Sequence, residues 1–188
     1  IVTDKGLRAA GIVDLVQRAG ADRIAGVFDG VVPDPNYECS QEAIDYCRSV
    51  GADAVVSLGG GSSIDCAKLT VVALTNGGSA IENMGLMRLD RPLLPHIVVP
   101  TTHGTGSEVT LGAVITNSQL HKKFFLADAR LIPHVAILDP TLVTGLPRSV
   151  TVGTGMDALT HAIEGLVTPA ANPVTTAVGL HAVRMVAE

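Results

Sequence analysis

Short apolar runs alternate along this chain with longer segments whose apolar residues recur every three to four positions. Residues 1–3, 24–28, 54–58, 97–99 and 135–138 are continuous apolar stretches, most of them closed by Asp, Gly or Pro, and each reads as a buried strand. Between them, residues 7–18, 41–50 and 63–75 carry helical spacing and supply crossover helices. This alternation predicts βαβ units with a mostly parallel sheet. Residues 113–116 and 124–127, separated by a polar stretch from Asn117 to Lys122, predict a β-hairpin inserted into that domain. From about Pro147 no strand candidate appears. Two helical stretches follow, divided at Asn172-Pro173, where Asn172 suits an N-cap and Pro173 the first helical position. The expected organisation is an α/β domain over 1–146 and the start of a helical region over 147–188.

Composition narrows the class. The chain has 188 residues, of which 47% are hydrophobic, 16% charged and only 3% aromatic, in keeping with a Val, Ile, Leu and Ala core such as buried parallel strands use. A net charge of −5 without any cluster of Lys and Arg argues against a nucleic-acid partner. No apolar stretch approaches the length of a membrane span, so no membrane partner is expected. Cys39, Cys47 and Cys66 are odd in number and lack CxxC spacing, which points to a reduced, cytoplasmic setting. The opening Ile1-Val2-Thr3-Asp4-Lys5 reads as the end of a strand, and the expectation is a chain cut at both ends.

Three segments carry chemistry. After the apolar run 54–58 come Gly59-Gly60-Gly61-Ser62-Ser63, leading straight into a helix. Glycines let backbone N–H groups approach an anion, the helix N-terminus adds unpaired donors, and Ser62 can cap the helix or donate to a phosphate oxygen. The run is neither a GxGxxG fingerprint nor a Walker A loop, and as a bare strand-to-helix turn it has no chemistry. Its place at the C-terminal end of a central strand favours a ligand. A second loop, Pro100 to Thr110, also follows a buried strand and offers the hydroxyls of Thr101, Thr102 and Thr105. Third, Asp157 and His161 lie four residues apart in a helical segment and share a face, so both can converge on one divalent cation. A capped helix with a hydrogen-bonded carboxylate–imidazole pair fits the same spacing, and two ligands are too few for a tight metal site.

Taken together, Ile1–Lys5, Gly59–Lys68 with Asn76-Gly77-Gly78, Pro100–Thr110, Asp139-Pro140 and Gly155–Glu164 resemble the iron-containing, group III alcohol dehydrogenases. The resemblance implies a Rossmann-like dinucleotide-binding domain with the inserted hairpin, followed by the first helices of an α-helical metal-binding domain. Members are about twice this length. It further implies that Gly60, Gly61 and Ser62 contact the cofactor pyrophosphate, Thr101, Thr102 and Thr105 the nucleotide, and Lys123 the cofactor's vicinity. Asp4, at the end of the first strand, would bond the adenosine ribose and repel a 2′-phosphate, favouring NAD over NADP. Asp157 and His161 match the first two metal ligands, with Fe2+ favoured and Zn2+ the second choice; two histidines downstream complete the family's set. The activity implied is reversible hydride transfer between a small alcohol and its aldehyde or ketone, in a homodimer. Two positions depart from the family pattern: His103 replaces a small residue, and Asp34 stands where many relatives have Asn.

Other readings stay open on the sequence alone. The literal 188 residues could serve as a nucleotide-binding module without turnover. A glycerol-dehydrogenase-like or dehydroquinate-synthase-like relative shares the architecture, although the Asp157–His161 spacing and the 100–110 loop count against it.

Overall fold

The computed structural model describes residues 1–85, 89–118 and 120–188. In chain order it forms α1 (Lys5–Ala9), α2 (Ile12–Gly20), α3 (Tyr37–Ser49), β1 (Val55–Gly59), α4 (Gly61–Asn76), α5 (Ala80–Asn83), β2 (His96–Pro100), β3 (Gly112–Asn117), β4 (Lys122–Ala127), β5 (Val135–Ala136), α6 (Arg148–Val167) and α7 (Pro173–Ala187). Residues 86–88 carry no prediction, and Gln119 of the hairpin loop lies outside the described residues.

β1 and β2 pair in parallel with Val55 opposite His96 and Gly59 opposite Pro100, and β5 joins the other edge of β2. The sheet continues past β1 through the backbone of residues 1–3. Val2 N–H donates to Val56 O at 2.8 Å, Leu58 N–H donates to Val2 O at 3.0 Å, and Phe28 N–H donates to Ile1 O at 2.8 Å. Residues 1–3 and 24–28 thus take their predicted places, but as single bridges at Val2 and Phe28 rather than as full strands. The predicted strand 135–138 shortens to Val135–Ala136.

Helices cover both faces. α3 and α4 pack a cluster including Ile44, Val55, Leu69 and Val72 on one side, while Val13 of α2 meets Leu58 and Val99 on the other. Full burial of each such aliphatic chain contributes about 1.5–3 kcal/mol. The predicted helix 7–18 is two helices, because Gly11 adopts a left-handed conformation, φ 74°, and breaks it. The predicted hairpin is present. β3 and β4 run antiparallel with Ile115 opposite Phe124, burying Ala113, Ile115 and Leu126 against the domain and leaving Phe125 exposed.

α6 and α7 pack against each other, with Gly179 so close to α6 that an added Cβ would lie 3.1 Å from Leu166 Cδ2. Asn172 caps α7, its side chain accepting from the N–H groups of Val174 and Thr175, and Pro173 sits in the first turn, as the sequence predicts. Most apolar residues of this pair are exposed, among them Val152, Met156, Val167 and Met185. No helix among the described residues is long and apolar enough to cross a membrane.

Candidate functional site

The C-terminal ends of the parallel strands open into a cleft of about 720 Å³. That volume lies within the range of small-molecule sites, and the position is where open α/β sheets hold ligands. Six of the residues singled out in the sequence line it together: Asp4, Gly60, Gly61, Ser62, Thr102 and Thr105.

One wall is the first turn of α4. Its N-cap is Gly60, which has no side chain to offer, so the first-turn N–H groups are left uncapped. The sequence allowed Ser62 to cap; instead Ser62 lies inside the helix and its Oγ accepts from Asp34 N–H at 3.3 Å. The 100–110 loop comes down against this turn. A Cβ on Gly60 would stand 2.9 Å from Thr102 Oγ1, and one on Gly61 3.0 Å from Thr105 Cγ2, so glycine is what permits the approach. Thr101 is 2% exposed and does not line the cleft; its N–H donates to Gly59 O at 3.0 Å, tying the two loops together beneath it. This wall combines bare N–H donors, hydroxyls and the positive end of a helix dipole, the chemistry that holds phosphate.

Asp4, Lys5 and Asp29 also line the cleft and bring charges of both signs to it. Asp4 caps α1 by accepting from Leu7 N–H at 3.0 Å through Oδ1, and remains only half-buried at the cleft. Asp29 also lines the cleft and pairs with Arg8. Lys123 does not line the cleft. Its Nζ lies 2.8 Å from Asp34 Oδ1 on the exposed surface beside Ser62.

α6 starts at this cleft, to which it contributes Val150 and Thr154. His103 Nε2 lies 3.2 Å from Thr151 O and 3.3 Å from Thr154 Oγ1, so the departure at this position ties the loop to the helix. Asp157 and His161 follow three and seven residues beyond Thr154; at 1.5 Å rise per residue, His161 is about 10 Å further along the helix. His161 Nε2 and Asp157 Oδ1 are 3.7 Å apart and 58% and 44% exposed. That separation is too long for a hydrogen bond, so the pair is not the closed carboxylate–imidazole couple that the spacing also allowed. One carboxylate and one imidazole suit ferrous iron or zinc. Among the described residues no group of three or more His, Cys, Asp or Glu could hold a metal ion, so the pair is incomplete by itself.

Sequence reasoning missed a buried polar network under the second loop. Lys68, 1% exposed, donates to Ser107 Oγ, Thr110 O and Gly112 O at 3.1, 2.9 and 2.7 Å. Asp65 accepts from Ser107 Oγ–H at 2.7 Å and Val114 N–H at 2.9 Å. Burial pushes the Lys68 ammonium down to about 8 against the pull of Asp65 and Glu108, and pushes the Asp65 carboxyl up. The visible signal was a lysine flanked on both sides by apolar residues in the run Cys66-Ala67-Lys68-Leu69, where no solvent-facing stripe exists.

The model of the iron-containing alcohol dehydrogenases matches residues 1–140, and that of the Fe-containing alcohol dehydrogenase family's C-terminal region matches residues 151–188. The chain belongs to the iron-containing alcohol dehydrogenase family. It is 42% identical to the 1,3-propanediol dehydrogenase of Citrobacter freundii, over 100% of this chain and 49% of that protein. To the NAD-dependent methanol dehydrogenase of Bacillus methanolicus it is 40% identical, over 100% of this chain and 50% of the relative. Among solved structures, a 1,3-propanediol oxidoreductase superposes with a TM-score of 0.90 at 42% identity, covering 99% of this chain and 49% of the other. A sulfoacetaldehyde reductase from Bifidobacterium kashiwanohense in complex with NAD+ superposes with a TM-score of 0.90 at 32% identity, covering 98% and 50%. The superposed structures share the Rossmann-like α/β architecture of this chain, and the chain spans about half the length of the curated relatives it matches.

Proposed function

We propose that this chain supplies the NAD-binding domain, over 1–146, and the opening of a metal-binding helical domain, over 147–188, in an alcohol dehydrogenase. The reaction is reversible hydride transfer between a small alcohol and NAD. The observation that carries the reading is the cleft, where an uncapped helix N-terminus and two threonines face an aspartate, with α6 leading away toward Asp157 and His161.

In this reading the first-turn N–H groups of α4, with the Ser62 hydroxyl, hold the cofactor pyrophosphate. Thr102 and Thr105 close over it from the second loop, and Thr101 keeps that loop seated through its backbone. Asp4 accepts from the ribose hydroxyls and repels a 2′-phosphate, which favours NAD over NADP. Asp157 and His161 contribute two ligands to a divalent cation, ferrous iron ahead of zinc. When bound, that cation and the nicotinamide supply Lewis-acid polarisation of the alcohol oxygen and a hydride acceptor. Relatives named for 1,3-propanediol, methanol and lactaldehyde favour a short alcohol or aldehyde as substrate. Three free, buried cysteines are in keeping with a cytoplasmic setting, and the homodimer implied by the family resemblance completes the reading.

Calorimetric titration of the chain with NAD and NADP tests the cofactor half: NAD binding at least tenfold tighter than NADP is expected, and no binding of either removes the reading. Alcohol-dependent reduction of NAD by the full-length protein loaded with Fe2+ or Zn2+ tests the chemistry. NAD binding without turnover on any short alcohol would leave the second reading, a nucleotide-binding module, which the two-ligand metal pair favours for these 188 residues.

A further inference from the structure

From Ser63 to Ala73, all of α4 but the half-buried Asp65 is buried, and a lysine stands in the middle of it. A buried ammonium is costly to desolvate, and a methionine of similar volume would fill the same space without that cost. Among the described residues, Lys68 is satisfied by one distant segment. Its Nζ donates to Ser107 Oγ at 3.1 Å, to Thr110 O at 2.9 Å and to Gly112 O at 2.7 Å, with Thr110 Oγ1 also within 3.3 Å. Three residues earlier, Asp65 accepts from the Ser107 hydroxyl at 2.7 Å and from Val114 N–H at 2.9 Å. Ser107 is therefore gripped from both sides, accepting from the lysine and donating to the aspartate. Its own N–H donates to Thr105 Oγ1 at 3.3 Å, which carries the constraint back to a threonine of the cleft.

The same helix thus does two things. Its first turn forms the donor wall of the cleft, and its third fixes the far end of the loop that closes over that wall. Little slack exists between them, since a Cβ on Gly61 would stand 3.0 Å from Thr105 Cγ2, closer than ordinary contact.

We propose that Lys68 is a positioning residue for cofactor binding, pinning the 107–112 segment to α4 so that Thr102 and Thr105 stand against Gly60 and Gly61. The proposal rests on the reading of that cleft as the NAD site. Lys68 touches no part of the cleft itself and acts through Ser107.

The test uses Lys68→Met, which keeps the stem and removes the donors, in the full-length protein. Two readouts are taken together. By peptide-level hydrogen exchange, residues 101–112 are expected to exchange at least tenfold faster, with α3 unchanged. In steady-state kinetics, KM for NAD is expected to rise at least tenfold while kcat stays within threefold. A variant whose exchange rises uniformly along the chain, or whose KM for NAD stays within twofold, overturns the proposal. Should K68M fail to fold, Ser107→Ala decides: it removes one link of the clamp and is expected to raise KM for NAD three- to tenfold with the same local exchange pattern, and no change in either overturns it. If wild-type protein binds no NAD, the cofactor reading has failed. The exchange arm still judges whether Lys68 orders the loop.

Discussion

Lys123 Nζ lies 2.8 Å from Asp34 Oδ1, and the backbone N–H of the same aspartate donates to Ser62 Oγ at 3.3 Å, so a hairpin lysine and the donor wall of the cleft meet at one residue. Asp34 holds a left-handed backbone conformation there, φ 51°, which Asp tolerates better than most residues. Both side chains are well exposed, so the pair is worth only about 0–1 kcal/mol of stability. Its consequence is local: the ammonium neutralises a carboxylate that would otherwise oppose the cofactor phosphate proposed at the first turn of α4.

Lys123→Ala is therefore expected to weaken NAD binding about two- to fivefold, at most about 1 kcal/mol, and the double variant D34N/K123A to recover most of it. Titration at low and moderate salt measures both. If the double variant stays as weak as K123A, the lysine touches the cofactor itself and screening is the wrong account.

Gly61 tests the closeness of the two loops. In G61A the new methyl would meet Thr105 Cγ2 at 3.0 Å, and NAD affinity is expected to fall about tenfold as the loop gives way. Replacing Thr105 by Ser in the same background removes its nearest atom, leaving Cβ at 3.2 Å, and should restore part of the binding. Lack of recovery, with unfolding temperatures unchanged, would show that Gly61 serves backbone access to the phosphate rather than the fit against Thr105.

Gly104 joins the second loop to α6. It has φ 113°, and a Cβ there would overlap the carbonyl oxygen of Thr154. G104A is expected to cost about 1–3 kcal/mol through backbone strain alone, and to push α6 away from the loop. Because Asp157 and His161 ride on α6, kcat in the full-length protein should fall more than NAD affinity does. Equal losses in both would mean the loop moved and the helix did not.

His96 predicts an acid limb to stability. Burial, then repulsion from Lys68 and His134, holds its imidazole down at about 3 against an ordinary 6.5, and its Nε2 is 2.9 Å from Ser57 Oγ. Between those values the unfolded chain binds a proton that the folded chain refuses. Stability from this group is therefore present above about pH 6.5 and is lost as pH falls toward 3. In H96Q, urea unfolding between pH 7 and 4 should show a shallower loss than in wild type, whatever the difference at pH 7. Parallel curves would exclude His96 as the source.

The βαβ alternation, the hairpin and the Asn172 cap were legible because each is a local pattern: strand and helix periods, a polar break between two apolar runs, an N-cap followed by proline. The split of the first helix was not, since an apolar period reads through Gly11 while the backbone turns there. The site was half legible in the same sense. The glycine turn and the threonine loop announce themselves by composition, and the cleft does gather Asp4, Gly60, Gly61, Ser62, Thr102 and Thr105. That Thr101 faces inward, that Lys123 answers Asp34, and that Lys68 clamps Ser107 depend on residues 39 to 89 positions apart.

By itself the sequence determined the class of fold, the family resemblance and the kind of chemistry at each motif, because residue type and near-neighbour spacing decide what a turn or a helix face can offer. Only the tertiary structure decided which of those offers share a cleft. Distances between loops are set by how α3, α4 and α6 pack on the sheet, and packing depends on contacts that no local pattern contains. It also showed that Asp157 and His161, though on one face, stand 3.7 Å apart without bonding each other, and that among the described residues no third metal-binding side chain joins them.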